Sequence, residues 1–195
     1  PHGYGVLWYT EDQKAYAGWW ANGRPHGEGT DYYKNGEIMY DGAYEKGDFH
    51  GKGIFKNSDG SKLYDGQWED GEMHGEGILY YNTGVIRYKG TWKEGSRDGV
   101  GKEYYKNGQI KYDTQWENGT RGRSGTAYYE SGQIHFKGNW EDGHGVWYYE
   151  NGEIMYDGQI KNGEKSGIGT AYYENGEKKY DGQWKKNQIN GKGDQ

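Results

Sequence analysis

The sequence contains no cysteine, only two prolines and no run of about 18 apolar residues. The absence of cysteine excludes a disulfide framework, a thiolate metal site and a thiol nucleophile, and it leaves a cytoplasmic location open. No segment resembles a membrane-spanning helix or a secretory signal. The chain starts at Pro1 and stops at Gln195, just after a Gly-x-Gly, so we expect it to be a segment of a longer protein.

An excess of positive charge is also lacking. The chain carries 24 basic and 30 acidic residues, for a net charge of −6, and the two signs are mixed along the sequence. No basic stripe is available to follow a phosphate backbone or an anionic bilayer. We therefore predict that nucleic acid is not a partner, and the charge does not favour a membrane surface.

Aliphatic side chains are scarce. Leu, Ile, Val and Phe together number 20, well below the fifth of the chain that usually accompanies a packed aliphatic core. The sequence has instead 22 Tyr, 9 Trp and 3 Phe. Each aromatic side chain buries roughly 150–250 Å², which is enough to replace the missing aliphatic area. Aromatic packing is expected to hold the protein together.

A repeat of 24 residues runs through the chain. Equivalent repeats begin at Gly3, Gly27, Gly51, Gly75, Gly99, Arg123, Gly143 and Gly167. The third position of all eight is Gly, and the fourteenth is aromatic: Tyr16, Tyr40, Tyr64, Tyr88, Tyr112, Phe136, Tyr156 and Tyr180. The sixth repeat lacks four residues near Asp142. We expect residues 3–190 to form one repeat array and residues 191–195 to begin a truncated ninth repeat.

Each repeat is predicted to be a β-hairpin. In the second repeat, two strand-like segments flank Asn35-Gly36, a dipeptide that favours a two-residue turn with positive φ at both positions. Frequent glycine and the lack of a 3.6-residue apolar period disfavour helix. The predicted fold class is all-β: an elongated, single-layer antiparallel hairpin array of about sixteen strands, with a length of ~80 Å.

The two-residue turn predicts which side chains share a face. It pairs Tyr33 with Ile38, Asp31 with Tyr40 and Gly29 with Gly42. Tyr33, Ile38, Tyr40 and Tyr44 would then form a buried aromatic face. The opposite, more solvated face would carry Tyr32, Met39, Asp41 and Ala43. A single β-bulge would invert part of this map.

These residues resemble MORN (membrane occupation and recognition nexus) repeats, whose pattern is Tyr-x-Gly-x-Trp-x-x-Gly-x-x-His-Gly-x-Gly. Residues 64–77 match it position by position, and residues 104–112 are similar to its Tyr-Tyr-x-Asn-Gly-x-Ile-x-Tyr variant. The resemblance extends from Gly3 to Gly193. It implies a single-layer antiparallel sheet used for protein contacts, oligomerisation and sometimes membrane or cytoskeletal attachment. We expect a cytoplasmic location, with cytoskeletal or membrane association as a further possibility. The resemblance implies no reaction, and we predict no cofactor.

A weaker resemblance links the chain to choline-binding repeats of cell-wall proteins. It rests on Gly145-Val146-Trp147-Tyr148-Tyr149 and on Gly18-Trp19-Trp20. This resemblance implies recognition of choline or carbohydrate by aromatic cages. The His-Gly-x-Gly segments and the period of 24 residues fit the MORN pattern better.

Neither the histidines nor the aspartates predict a chemical site. His2, His26, His50 and His74 recur every 24 residues, but equivalent atoms of successive hairpins lie ~10 Å apart, too far for one ion. A row of carboxylates occupies the fifteenth position: Asp41, Asp65, Asp113, Asp157 and Asp181. An open sheet gives such a row no enclosure for glycosidase chemistry. We predict no catalytic residue and no metal site.

The sixth repeat position gives the hypothesis of a binding surface. It carries Trp8, Tyr32, Tyr80, Tyr104, Tyr128, Tyr148 and Tyr172, and Lys56 interrupts the series. A line of rings at ~10 Å pitch on the more solvated face would suit a protein partner, because Tyr and Trp dominate interface energetics. Strand propensity and cross-strand packing explain the same residues without a partner.

The sequence therefore predicts a non-enzymatic scaffold that holds a peptide segment or helix of basic or amphipathic character. A membrane- or phospholipid-tethering module is the alternative. Open sheet edges would also permit homo-oligomerisation.

Overall fold

A computed structural model describes residues 1–191 of the chain, and within that range every regular element is a β-strand. Residues Pro1–Gly101 and Lys102–Gln195 each form a compact unit, called here the first half and the second half. The part of the ninth repeat predicted for residues 192–195 lies outside the described residues.

The strands have similar lengths in both halves. The first half contains β1 (Gly3–Thr10), β2 (Gln13–Ala21), β3 (Arg24–Tyr32), β4 (Ile38–Glu45), β5 (Asp48–Lys56), β6 (Lys62–Glu69), β7 (Glu72–Tyr80) and β8 (Ile86–Lys93), and β9 (Ser96–Tyr104) continues into the second half. The second half contains β10 (Ile110–Glu117), β11 (Thr120–Tyr128), β12 (Ile134–Asn139), β13 (Gly143–Tyr148), β14 (Ile154–Lys161), β15 (Glu164–Tyr172), β16 (Lys178–Lys185) and β17 (Gln188–Ile189).

The strands of each half pair antiparallel with their neighbours along the chain. In the first half, each strand from β1 to β7 pairs with the next, up to β8. In the second half, each strand from β10 to β16 pairs with the next, up to β17. The predicted all-β class and antiparallel hairpin array are confirmed.

The tight turn with two positive φ angles lies between repeats. Lys46 and Gly47 have φ angles of 53° and 103°, and they connect the paired residues Glu45 and Asp48. Turns of this kind match the twist of the flanking strands. Asn22-Gly23 and Asn162-Gly163 have the same pair of positive angles.

The turn within the second repeat differs from the prediction. Gly36 has a φ of 89°, but Asn35 is not among the residues of positive φ. The amide of Gly36 donates to the Tyr33 carbonyl over 2.9 Å, and the amide of Tyr33 donates to the Glu37 carbonyl over 2.8 Å. The loop is therefore a three-residue connection that ends in a left-handed glycine. Asn35 Oδ1 also accepts from the Glu37 amide at 3.1 Å, an interaction that favours this turn.

A β-bulge follows the three-residue loop, and the observed register therefore differs in part from the predicted one. The pairs Gly29–Gly42 and Asp31–Tyr40 are confirmed. Ile38 lies opposite Tyr32, however, and the predicted Tyr33–Ile38 pair is wrong. Met39 is the extra residue of the bulge, so Ile38 shares a face with Tyr32 and not with Tyr40.

One face of the sheet carries the core, which we call the aromatic seam. It consists of the buried residues at the fourteenth and eighteenth repeat positions, with members such as Tyr40, Tyr44 and Trp68 in the first half and Tyr156 and Trp184 in the second. Tyr40 and Trp68 meet edge to face with ring centroids 5.6 Å apart, and Tyr156 and Trp184 do so at 5.3 Å. Such pairs add to the stabilisation from buried area. The predicted aromatic core is present.

Glycines make room for the seam tyrosines. Tyr40 is fully buried, and its hydroxyl donates to the Ala43 carbonyl over 2.9 Å. A Cβ built on Gly53 would lie 2.2 Å from that hydroxyl oxygen. The phenol therefore lies directly on glycine backbone, which explains why the repeat needs glycine at this position.

Candidate functional site

The face opposite the aromatic seam carries a second line of large side chains. It consists of the sixth-position residues and the twelfth-position residues paired with them, and we call it the tyrosine–isoleucine band. Its tyrosine–isoleucine pairs are Tyr32–Ile38, Tyr80–Ile86, Tyr128–Ile134 and Tyr148–Ile154. Its other pairs are Trp8–Lys14, Lys56–Lys62 and Tyr172–Lys178. Side chains directly opposite each other on paired strands share a face and touch.

The predicted ring residues are partly accessible to solvent. Trp8 is 47% exposed. Tyr32, Tyr80, Tyr104, Tyr128, Tyr148 and Tyr172 all have intermediate exposure. Each lies at or near the C-terminal end of its strand, beside the turn within its repeat. The structure thus gives these rings one repeated environment on the sheet, distinct from that of the buried seam.

The hydroxyl groups of the band differ from those of the neighbouring tyrosines. Tyr105, Tyr129 and Tyr149 occupy the seventh position, and their hydroxyls donate to backbone carbonyls of the following hairpin over 2.8–2.9 Å. Within residues 1–191, the hydroxyls of Tyr128 and Tyr148 form no hydrogen bond with protein atoms. The same holds for Tyr32, Tyr80 and Tyr172. These groups remain able to bond water or a partner.

Lysine interrupts the band in the first half. Lys56 and Lys62 face each other where other repeats have Tyr and Ile. The ammonium of Lys62 lies 2.9 Å from Asp65 and 5.8 Å from the centre of the Tyr80 ring. Lys14 lies 5.9 Å from the ring of Trp8. In the second half, two tyrosine–isoleucine pairs follow each other directly, at residues 128–134 and 148–154.

Acidic side chains lie beside the band. In the second half, Asp113 and Asp181 form ion pairs with Lys102 and Lys178 at 2.9 and 3.0 Å. Asp157 Oδ1 lies 2.8 Å from His144 Nε2. A hydrogen bond from Lys178 lowers the pKa of Asp181. These contacts are those of solvated strand residues.

A second acidic row lies at the turns of the second half. Glu130, Glu150 and Glu174 each follow a band tyrosine by two residues, and all three are exposed. The pKa of Tyr129 is raised, first by burial and then by the charge of Glu150. Within the described part of the chain, none of the three carboxylates forms an ion pair.

The histidines form individual pairs with carboxylates. His74 lies 3.0 Å from Glu69, and His50 lies 3.5 Å from Glu45. Among residues 1–191, no group of three or more His, Asp or Glu side chains is arranged to hold a metal ion. Over the same residues, the structure has no helix with the length and apolar character needed to span a bilayer.

The isoleucines of the band were not predicted from the sequence. The two-residue turn placed Ile38 on the buried face, whereas the bulge at Met39 places it beside Tyr32. The recurrence of Tyr at the sixth position and Ile at the twelfth is visible in the sequence. It shows that the two positions belong together only when the register across the turn is known.

Sequence comparison agrees with the repeat. The MORN repeat family matches residues 1–12, 16–38, 40–62, 64–86, 88–110, 156–178 and 180–194, and a MORN repeat variant matches residues 141–162. No curated protein matches the chain. MORN repeats generally serve as modules that bind proteins or membranes and are typically not enzymes. The matches cover well over half of the sequence, and the chain belongs to the MORN repeat family.

Proposed function

We propose that this chain is a non-enzymatic scaffold that holds a partner protein on its tyrosine–isoleucine band. The array would comprise residues 3–190, with repeats that begin at residues 3, 27, 51, 75, 99, 123, 143 and 167. The observation that carries the proposal is a row of partly exposed rings. Five of their hydroxyls form no hydrogen bond within residues 1–191, those of Tyr32, Tyr80, Tyr128, Tyr148 and Tyr172. A cytoplasmic location and homo-oligomerisation remain predictions from the sequence.

The two faces of the sheet differ in what they offer to a partner. The buried seam tyrosines at the fourteenth position donate their hydroxyls to backbone carbonyls, as Tyr156 does to the Gln159 carbonyl over 2.9 Å. These hydroxyls are therefore not available to a partner. The band combines partly accessible rings with apolar isoleucines and with the hydroxyls of Tyr32, Tyr80, Tyr128, Tyr148 and Tyr172, which form no hydrogen bond within residues 1–191. Rings of this kind dominate the energetics of protein interfaces.

Membrane tethering is the second candidate, and membership of the family favours it. The net charge of −6 opposes it, because anionic lipid attracts basic surfaces. Sedimentation with anionic liposomes at physiological salt separates the two functions. We expect the protein to stay in the supernatant, and extensive pelleting would favour the membrane function.

Choline or carbohydrate recognition by the seam has less support. The ammonium of Lys165 lies 4.9 Å from the centre of the Tyr156 ring and 5.2 Å from that of Trp184. Arg121 lies 4.4 and 4.3 Å from the rings of Tyr112 and Trp140. Cations of the chain itself thus occupy the ring faces that a quaternary ammonium would need.

Replacement of the band tyrosines tests the proposed function. We expect the combined variant Tyr104→Ser, Tyr128→Ser and Tyr148→Ser to capture the native partner at least ~10-fold less well, because each lost ring removes interface area. The partner is identified by affinity purification from the native cell and mass spectrometry, and its affinity for parent and variant is then compared. Ile168→Ser is the control, since Ile168 is 59% exposed on the same sheet but outside the band. Equal affinity of parent and triple variant would remove the band from consideration.

A further inference from the structure

The spacing of the band restricts the conformation of the segment that it binds. The alternate strands β11, β13 and β15 each end at a band tyrosine: Tyr128, Tyr148 and Tyr172. Neighbouring strands lie ~4.8 Å apart, so successive tyrosines stand ~9.6 Å apart across the strands. The four-residue deletion in the sixth repeat leaves this count of strands unchanged. A segment that crosses the strands must present an anchor at the same interval.

A polyproline II helix matches this interval to within ~0.3 Å and keeps every anchor on one edge. It rises ~3.1 Å per residue with three residues per turn, so equivalent side chains recur every ~9.3 Å on one edge. Seven residues of α-helix span ~10.5 Å, and the mismatch accumulates over successive repeats. In a β-strand, three residues span ~9.9 Å, but every second anchor then points away from the surface.

The chemistry of the band also suits this conformation. A polyproline II backbone makes no internal hydrogen bonds, so its carbonyl groups require external donors. The hydroxyls of Tyr128, Tyr148 and Tyr172 form no hydrogen bond within residues 1–191 and can supply them. Ile134 and Ile154 lie opposite the first two tyrosines and provide apolar surface for proline rings. Aromatic-lined grooves are a general means of binding proline-rich segments.

The charge beside the band specifies a further feature of the partner. Glu130, Glu150 and Glu174 each stand two residues after a band tyrosine, so they repeat at the same ~9.6 Å interval. Their carboxylates are exposed and lack an ion pair among the described residues. A threefold helix presents every third side chain on one edge, which lets basic residues follow this acidic row.

We propose that the second half of the array binds a proline-rich segment in polyproline II conformation, laid across the strands, with prolines against the tyrosine–isoleucine band and Lys or Arg residues along the row of glutamates. This inference rests on the proposed function and specifies the partner of the same surface.

Synthetic peptides of equal charge test the inference. Isothermal titration of the full chain would use three peptides of about 12 residues, which repeat Pro-Pro-Arg, Gly-Ser-Arg or Ala-Ala-Arg. They are, in order, preorganised as polyproline II, flexible and helix-forming. We expect the Pro-Pro-Arg peptide to bind at least ~10-fold more tightly than the other two. Equal or tighter binding of either of the others, or no binding of the proline peptide up to about 1 mM, would overturn the inference.

Variants show whether binding occurs at the assigned surface. Tyr128→Ser with Tyr148→Ser should weaken binding of the proline peptide at least ~10-fold. Replacement of the three glutamates Glu130, Glu150 and Glu174 by Gln should weaken it and reduce its dependence on salt. Ile168→Ser should leave it unchanged. Unfolding curves of every variant confirm that it folds. Binding that the tyrosine and glutamate variants do not alter would overturn the inference.

The outcomes separate this inference from the proposed function. Tyrosine-dependent binding of the helix-forming peptide would refute the polyproline II partner and retain the band as a protein-binding surface. Unchanged capture of the native partner by the triple tyrosine variant would refute the band itself.

Discussion

At the scale of single residues, the fold depends on a phenol and a glycine that share one space. Tyr40 lies so close to Gly53 that a Cβ there would stand 2.2 Å from the hydroxyl oxygen and 2.3 Å from the ring carbon that bears it. The Tyr40 ring is fully buried and its hydroxyl is hydrogen-bonded, so the ring cannot move aside to accommodate an added Cβ. The repeat therefore requires the small residue and the large one together.

Gly53→Ala is expected to lower the free energy of unfolding by about 1–3 kcal/mol, as overpacking of a tight core does. Urea denaturation measures the effect. Gly71→Ala measures a different cost, because a Cβ there meets nothing within 4 Å and only the φ of 82° is unfavourable. That backbone effect alone costs about 1–2 kcal/mol. A Gly53→Ala protein as stable as the parent would show that the seam yields more readily than its packing indicates.

The sequence predicts the seam better than the band. The fourteenth position is aromatic in every repeat, and two-residue alternation correctly placed Tyr40 and Tyr44 on the buried face. Ile38 was placed wrongly because Ile38, Met39 and Tyr40 are three consecutive apolar residues. Any of the three could be the extra residue of a bulge. The pairing of the two strands across the three-residue loop shows that it is Met39.

At the scale of elements, one dipeptide forms two different turns. Asn22-Gly23 has positive φ at both residues, whereas Asn35-Gly36 has it only at glycine. The side chain of Asn35 accepts from its own loop and donates through Nδ2 to the Ser58 carbonyl of the next hairpin over 2.7 Å. That contact lies 23 residues away in sequence. A local pattern cannot reveal it, so the turn type was predicted incorrectly.

Neighbouring tyrosines should contribute differently to the contact between hairpins. The Tyr149 hydroxyl donates to the Tyr172 carbonyl over 2.9 Å, so Tyr149→Phe should cost about 1 kcal/mol of stability. Faster amide exchange in the adjoining turns would accompany it. Tyr148→Phe is a matched control one residue away, because its hydroxyl has no bond within residues 1–191 and its loss should change stability by less than about 0.5 kcal/mol. Equal effects of the two variants would contradict this division between structural and available hydroxyls.

At the scale of the whole molecule, the proposed function assigns recognition to the face of the sheet opposite the one that holds the fold together. Buried rings on the seam replace the aliphatic core that the composition lacks. The band retains accessible rings beside carboxylates. Substitutions on the band should therefore alter binding with little loss of stability, whereas substitutions on the seam should destabilise the fold.

The aromatic seam also makes the stability of the folded state dependent on pH in the alkaline range. Burial raises the pKa of Tyr16, Tyr88 and Tyr156 to about 12. In the unfolded chain a tyrosine titrates near pH 10, so the folded state holds these protons more tightly. Their contribution to stability is then fully present below about pH 10 and is lost as pH rises towards about 12.

Urea midpoints measured across this interval should fall steadily, while phenolate absorbance rises in step with loss of the folded signal. Tyr88→Phe should flatten the pH dependence, since it removes one of the protons concerned, although the variant also loses a hydrogen bond to the Thr91 carbonyl. Midpoints that stay constant from about pH 10 to about 12 would mean that the phenols ionise without leaving the seam, contrary to the cost of placing a charge among buried rings.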